Sequence, residues 1–225
     1  MDNYHYIQLE ILKQLLFKPK ARFSDLNTTG ITNDHFTFHL KQLLKQKLIV
    51  KDDQEYSLTD KGMEIAGRLD SKSGQLFKQP KTGVTLGVFR DVNDTLEVLV
   101  TKRKKDQSIS RIAWIDRKLR LGESLHEAAS KCLLEETGLQ TNNFEFAGVT
   151  RVIRKKEEII EIDVIAVCLK VINPEGELIE ETDVGINSWV KYNELMKMKN
   201  KLEGFNKRLE AYKNNEIILH EIISN

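Results

Sequence analysis

Residues 117 to 139 read Arg117-Lys-Leu-Arg-Leu-Gly-Glu-Ser-Leu-His-Glu-Ala-Ala-Ser-Lys-Cys-Leu-Leu-Glu-Glu-Thr-Gly-Leu139, a loop that becomes a helix. Ser124 is placed to cap that helix, and His126-Glu127 puts acid in its first turn. Gly138 falls where a left-handed residue ends it. Cys132, Glu135 and Glu136 stand at i, i+3 and i+4, so their side chains lie close together. The same stretch also reads as an ordinary amphipathic helix. Leu125, Ala128, Ala129 and Cys132 follow helical spacing, and Cys132 is then a small core residue.

The spacing resembles the signature of the Nudix hydrolase superfamily, G-x5-E-x7-R-E-U-x-E-E-x-G-U, where U is a bulky aliphatic. Glu123, Leu133, Glu135, Glu136, Gly138 and Leu139 match it. Arg117 stands at the opening Gly, Lys131 at the Arg and Cys132 at the Glu of the Arg-Glu pair. The resemblance implies that Glu123, Glu135 and Glu136 are the catalytic carboxylates. Glu135 and Glu136 would be ligands to Mg²⁺ or Mn²⁺, and Glu123 would orient the site. Such ions take hard oxygen donors, polarise a diphosphate and activate water. A thiol at Cys132 is a soft ligand and a poor partner for Mg²⁺. Asp116-Arg117 replaces a Gly-Gly pair whose bareness lets backbone approach metal and phosphate. Arg117 blocks that approach, although its guanidinium can itself hold a phosphate. Three departures in one motif argue for weak or lost hydrolysis, and leave the enzyme question open.

The flanking sequence extends the resemblance to a Nudix-like domain over 82–199, an α/β/α sandwich with a mixed sheet. Val84, Leu86 and Val88 alternate, as do Leu96, Val98 and Val100, around the turn Asp91-Val-Asn-Asp94. Ile112 and Trp114 lead into the motif on a third strand. Phe144 to Ile153 and Ile159 to Val171 read as a hairpin. Asn173-Pro-Glu-Gly176 is a turn. Trp189-Val190 and Tyr192-Asn-Glu-Leu195 resemble a closing strand and short helix. Glu180, Glu181 and Asp183 lie in a loop where relatives carry an extra metal carboxylate, and acidic loop residues are more often simply solvated. The ligand class the resemblance implies is a nucleoside diphosphate joined to another group.

A chain of 225 residues suggests two domains. A formal charge of +1 supplies no field that would draw the whole chain to nucleic acid or membrane. Cys132 and Cys168 have neither metal nor disulfide-scaffold spacing. The start lacks the pattern of a signal peptide, and no apolar run approaches the ~20 residues that span a bilayer. A cytoplasmic protein without a membrane partner is expected.

Residues 1–70 resemble a winged helix-turn-helix. Ile7, Ile11, Leu12, Leu15 and Leu16 form one helical stripe, Phe23-Ser-Asp-Leu26 a short helix, and Thr32 or Asn33 caps a third helix to about Lys47. Leu48-Ile-Val50 and Tyr56-Ser-Leu58 flank a wing, and Thr59 caps a helix through Asp70. On the third helix Phe36, Leu40, Leu43 and Leu44 turn inward. His35, Phe38, Lys41, Gln42 and Lys45 form the outer face expected to enter the major groove of double-stranded DNA. Gln42 can read adenine, Phe38 a thymine methyl, and the lysines phosphates. His39 borders the core face and reads as a packed, hydrogen-bonded residue. Asp52 and Asp53 at the wing tip would repel phosphate, which keeps a protein-docking role for the exposed Phe38 in play. Residues 71–81, with Gly74 and Pro80, read as a linker.

The tail, 200–225, reads as a helical extension with Leu202, Phe205, Leu209 and Tyr212 at helical spacing. Docking onto the sheet is the first reading and homodimerisation the second. The whole chain then reads as a ligand-sensing transcriptional regulator that binds a nucleotide-type metabolite. The alternative is a Mg²⁺-dependent Nudix hydrolase with an altered site.

Overall fold

The structure is a computed structural model that describes residues 4–27, 30–105 and 108–224. Its contacts divide it into two compact units, Met1–Gln79 and Pro80–Asn225.

In the first unit, helix α1 (Tyr6–Phe17) starts at a reciprocal cap. The His5 ring accepts from the Ile7 amide, and the Gln8 side chain accepts from the His5 amide at 2.9 Å. Strand β1 (Ala21–Arg22), α2 (Phe23–Leu26) and α3 (Asn33–Lys45) follow, then β2 (Ile49–Asp52), β3 (Glu55–Leu58) and α4 (Asp60–Ala66). The sheet runs β1-β3-β2, all antiparallel. Ile7, Ile11, Leu12, Leu15, Phe36, Leu40 and Leu43 meet in one core, so the 3.6-residue stripes read from the sequence face each other. The order α1, α2, α3 followed by the β2–β3 hairpin is consistent with the expected winged helix-turn-helix. The expected helix through Asp70 stops at Ala66. Gly67 caps it, Leu69 bridges to Leu76, and the Asp70 carboxylate accepts from the Lys72 and Ser73 amides at 3.1 and 2.6 Å. The stretch read as a linker from 71 therefore folds back, with Leu76 packed on this unit's core.

In the second unit β4 (Lys81–Val92) lies parallel to β9 (Ile159–Ile172) and antiparallel to β5 (Thr95–Arg103). The long path of the sheet is β10-β5-β4-β9-β8-β11, with β8 spanning Glu145–Lys156, β10 Gly185–Lys191 and β11 Ile218–Ser224. The third strand read through Ile112 and Trp114 splits at Trp114. Beyond the Phe89–Val98 pair, β4 and β5 diverge. β6 (Ile112–Ala113) then pairs with β5, and β7 (Ile115–Lys118) pairs with β4. The buried stretch of β4 is nearly continuous, as expected of a strand covered on both faces.

Helix α5 (Leu125–Thr137) covers one face through Ala128, Ala129, Cys132 and Leu133 against Val84, Leu86 and Ile115. On the other face α6 (Tyr192–Lys197) and α7 (Phe205–Asn214) bring Leu195, Phe205, Leu209 and Tyr212 onto Val98, Val100, Trp114 and Cys168. The result is an α/β/α sandwich. The C-terminal extension is only partly helical, which corrects the sequence reading. α7 ends at Asn215 in a left-handed conformation, and the β-branched run beyond it becomes β11, parallel to β8. The tail thus docks on its own sheet.

Close approach of α7 to β4 depends on Gly87, where a Cβ would meet the Tyr212 ring at 2.7 Å. Gly87→Ala is expected to cost about 1–3 kcal/mol by overpacking. Both tryptophans, Trp114 and Trp189, lie in this unit, so a urea titration followed by tryptophan fluorescence reads its stability. An unchanged midpoint would contradict the packing of α7 on β4.

Candidate functional site

Helix α5 is capped at both ends. Ser124 and Glu127 form a reciprocal capping box, in which the Ser124 amide reaches Glu127 Oε2 at 2.9 Å and Ser124 Oγ accepts from the Glu127 amide at 3.2 Å. Gly138 ends the helix at φ 75°, and a Cβ there would lie 2.6 Å from the Glu177 carbonyl. With the apolar face of α5 fixed in the core, Glu123, Lys131 and Glu135 are presented beside β7.

Arg117 on β7 enters this group. Its Nη2 lies 3.4 Å from Glu123 Oε1 and its Nη1 3.5 Å from Glu135 Oε2, with the side chain 10% exposed. Glu123 also accepts from Lys131 Nζ at 3.2 Å and from the Arg120 amide at 3.2 Å. Burial alone would raise the Glu123 pKa. The Lys131 and Arg120 hydrogen bonds and the charges of Arg117 and Lys131 outweigh it and hold the carboxyl below its ordinary value. The guanidinium of Arg117, the expected phosphate ligand, lies against two carboxylates and also lines the cavity described below.

Glu136 faces the other way. Burial, Asp116 and Glu135 raise its pKa, while Arg103 and Arg117 oppose the rise. Its carbonyl accepts from Asn187 Nδ2 at 2.7 Å, which ties α5 to β10. Cys132 is fully buried. Burial, with Asp116 and Glu136 close by, pushes the thiol well above its ordinary value, so it is a neutral S–H.

As arranged, this donor set does not fit a Mg²⁺ or Mn²⁺ cluster. Glu123 and Glu135 share a guanidinium, Glu136 borders a recess with Asp116, and the Cys132 thiol is buried in the apolar core. Among the described residues no three His, Cys, Asp or Glu side chains gather as a metal site. A guanidinium neutralises carboxylates much as a divalent ion does, but it has no open coordination position. The loop acids stand apart from this group: Glu181 pairs with Lys104, and Asp183 with Lys105 at 3.7 Å.

A cavity of about 490 Å³ opens on the α7 side of the sheet. Thr85, Arg103, Asp116, Thr150, Arg154 and Arg208 contribute to its walls. Arg103 and Asp116, paired at 3.4 Å, also border the recess at Glu136, so the cavity reaches the motif. The volume is within the range of small-molecule sites. Of its wall, sequence reading singled out only Asp116 and Arg117. Arg208 had a legible signal, since it sits at i+3 from Phe205 inside the apolar stripe of α7. Arg103, Thr150 and Arg154 lie on strands where only the pairing register brings them together.

On α3 of the other unit, Phe38 is 57% exposed and Lys41 and Lys45 are exposed, with Gln42 half-buried. Among the expected outer-face residues, His35 also turns a ring nitrogen toward His39, Nε2 to Nε2 at 3.2 Å. His39 is buried and stacks on His5 with ring centroids 4.2 Å apart.

The raised pKa of Glu136 carries a pH signature. The folded state holds this proton more tightly than the unfolded state, so the stability it contributes is present at low pH and is lost as pH rises through the folded pKa. Glu136→Gln is expected to raise the thermal midpoint at pH 8 and to leave it nearly unchanged at pH 4. A loss of stability at pH 8 would contradict the crowding of Glu136 by Asp116 and Glu135.

Comparison with family models finds no match, and no curated protein sequence matches. Solved structures do. The Nudix domain of NrtR from Shewanella oneidensis, determined in complex with ADP-ribose, is 16% identical, covers 70% of this chain and 99% of its own, and superposes with a TM-score of 0.54. A MutT Nudix hydrolase from Burkholderia pseudomallei is 19% identical over 60% of this chain and 98% of its own, with a TM-score of 0.50. At these identities the likeness establishes the architecture: the unit from Pro80 onward has the Nudix fold.

Proposed function

We propose that this chain is a ligand-sensing transcriptional regulator. Its winged helix binds double-stranded DNA, and its Nudix unit binds a nucleoside-diphosphate-linked metabolite of the ADP-ribose type with weak or lost hydrolysis. The observation that carries this reading is Arg117, whose guanidinium occupies the space among the carboxylates of the motif. A protein that senses its ligand has no need to cleave it. The cavity reaching Asp116 supports a small-molecule ligand, and the exposed Phe38, Lys41 and Lys45 on α3 support DNA as the partner. Linkage then requires reciprocity: a metabolite that weakens DNA binding binds less tightly when DNA is present.

Incubation with Mg²⁺ or Mn²⁺ and a panel of ADP-ribose, dinucleotides and nucleoside triphosphates tests the first half. The expected release of product lies far below ordinary enzyme rates of about 1 to 10³ per second. Turnover in that range would reject the sensor and favour the hydrolase alternative. The double variant Arg117→Gly/Cys132→Glu frees Glu123 and Glu135 and restores a hard donor, and it is expected to gain activity. A folded, metal-binding double variant that stays inert would refute this account of the motif. For the DNA half, Lys41→Ala and Lys45→Ala should each weaken binding and reduce the salt slope by about one unit. An unchanged slope would point to a protein partner on this face.

A further inference from the structure

The cavity on the α7 side contains a buried cation with no direct ion pair among the described residues; Asp116 and Glu203 favour its charge only from farther off. Arg208 lies on the apolar face of α7 beside Phe205, Leu209 and Tyr212, is 6% exposed, and lines the cavity. Its Nη2 donates to the Glu203 carbonyl at 3.3 Å. Its Nε is buried and has no hydrogen-bond partner among the described residues. No carboxylate among the described residues pairs with it, whereas Arg103 is paired with Asp116 and Arg154 with Glu161, at 3.4 and 3.8 Å. Burial lowers its pKa, but a guanidinium stays charged in proteins. A buried cation without a counter-ion is costly, and replacing it by an apolar side chain commonly stabilises a fold. The hydroxyl-bearing Thr85 and Thr150, both buried, lie on the same wall.

We propose that Arg208 seats an oxyanion, the phosphate of a nucleotide, so that the ligand enters phosphate-first toward α7. The unpaired Nε edge supplies the side-on fork that matches phosphate geometry. At the motif Arg117 is already engaged by Glu123 and Glu135. At Arg208 the cavity offers a cation that no carboxylate among the described residues engages. This placement rests on the nucleotide-binding reading above and adds the group of the ligand that the cavity holds and the end at which it is held.

Calorimetry on the full chain with adenosine, AMP, ADP-ribose and inorganic phosphate tests it, using wild type, Arg208→Met and Arg208→Lys. AMP and ADP-ribose are expected to bind wild type and to lose about 10- to 100-fold in Arg208→Met, the worth of a charged hydrogen-bonded contact. Arg208→Lys should fall between, because it keeps the charge and loses the fork. Adenosine should bind all three alike. The ligand-free thermal midpoint of Arg208→Met should equal or exceed that of wild type. Equal losses for adenosine and AMP would overturn the proposal. Nucleotide binding to wild type that Arg208→Met leaves intact removes the anion seat and spares the nucleotide reading. Inorganic phosphate bound by wild type, lost in Arg208→Met, with no nucleotide bound, does the reverse. Failure of every probe to bind wild type sinks both. Should Arg208→Met not fold, the Arg208→Lys comparison of AMP with adenosine still decides.

Discussion

Carboxylates brought within a few ångströms of one another need positive charge between them, and in this protein part of that charge is built into the chain. The capped ends of α5 and its alanine-rich contact face fix where Glu123 and Glu135 stand. β7 then carries Arg117 into the space that their acidity creates. The long 3.4 and 3.5 Å contacts are those of a charge held in a field more than of a close two-bond fork. Everything inferred about chemistry follows from that occupancy. A side-chain cation stands between two of the acids.

The architecture was largely legible because it is written in periodicity. The β4 and β5 strands, the hairpin of β8 and β9, and the α1 and α3 stripes all appear in the structure close to where the residues put them, although the buried stretches of β4 and β5 are continuous and do not alternate. Local rules served best at helix ends: Ser124, Thr59 and Gly138 act as caps where read, and Thr32 holds the N-cap position of α3 without a side-chain cap bond. They served worst where tertiary pairing competes with helix propensity. Residues 67 to 70 yield to the bridge between Leu69 and Leu76, and the isoleucine-rich tail yields to the open edge of β8. The motif announced its departures from the family pattern, but not their geometry. Nothing in the spacing says that Arg117 lies against Glu123 and Glu135. Nor could it say that Glu136 borders a recess with Asp116. Both depend on which face of β7 meets α5.

The cavity raises a second balance, between stability and binding. An arginine in the apolar stripe of an otherwise greasy helix opposes the packing that surrounds it. Strained or under-satisfied groups of this kind are where local sequence logic is expected to give way to function. Arg208 and Arg117, which line the same cavity, thus show opposite solutions. One cation is matched internally by acids of the same unit, and the other is left for something that arrives from solvent.

The outermost strand, β11, is the last of its sheet in chain order and joins β8 in parallel. During synthesis β8 therefore emerges long before its edge is covered. Until Ile218 onward is available, a twelve-residue strand presents its unpaired amides and carbonyls to whatever extended chain is nearby. A ribosome that stalls, or a protease that clips, beyond α7 would leave a nearly complete molecule with a sticky border. The soundness of this unit then depends on Ile218–Ser224 more than their small share of the core would suggest.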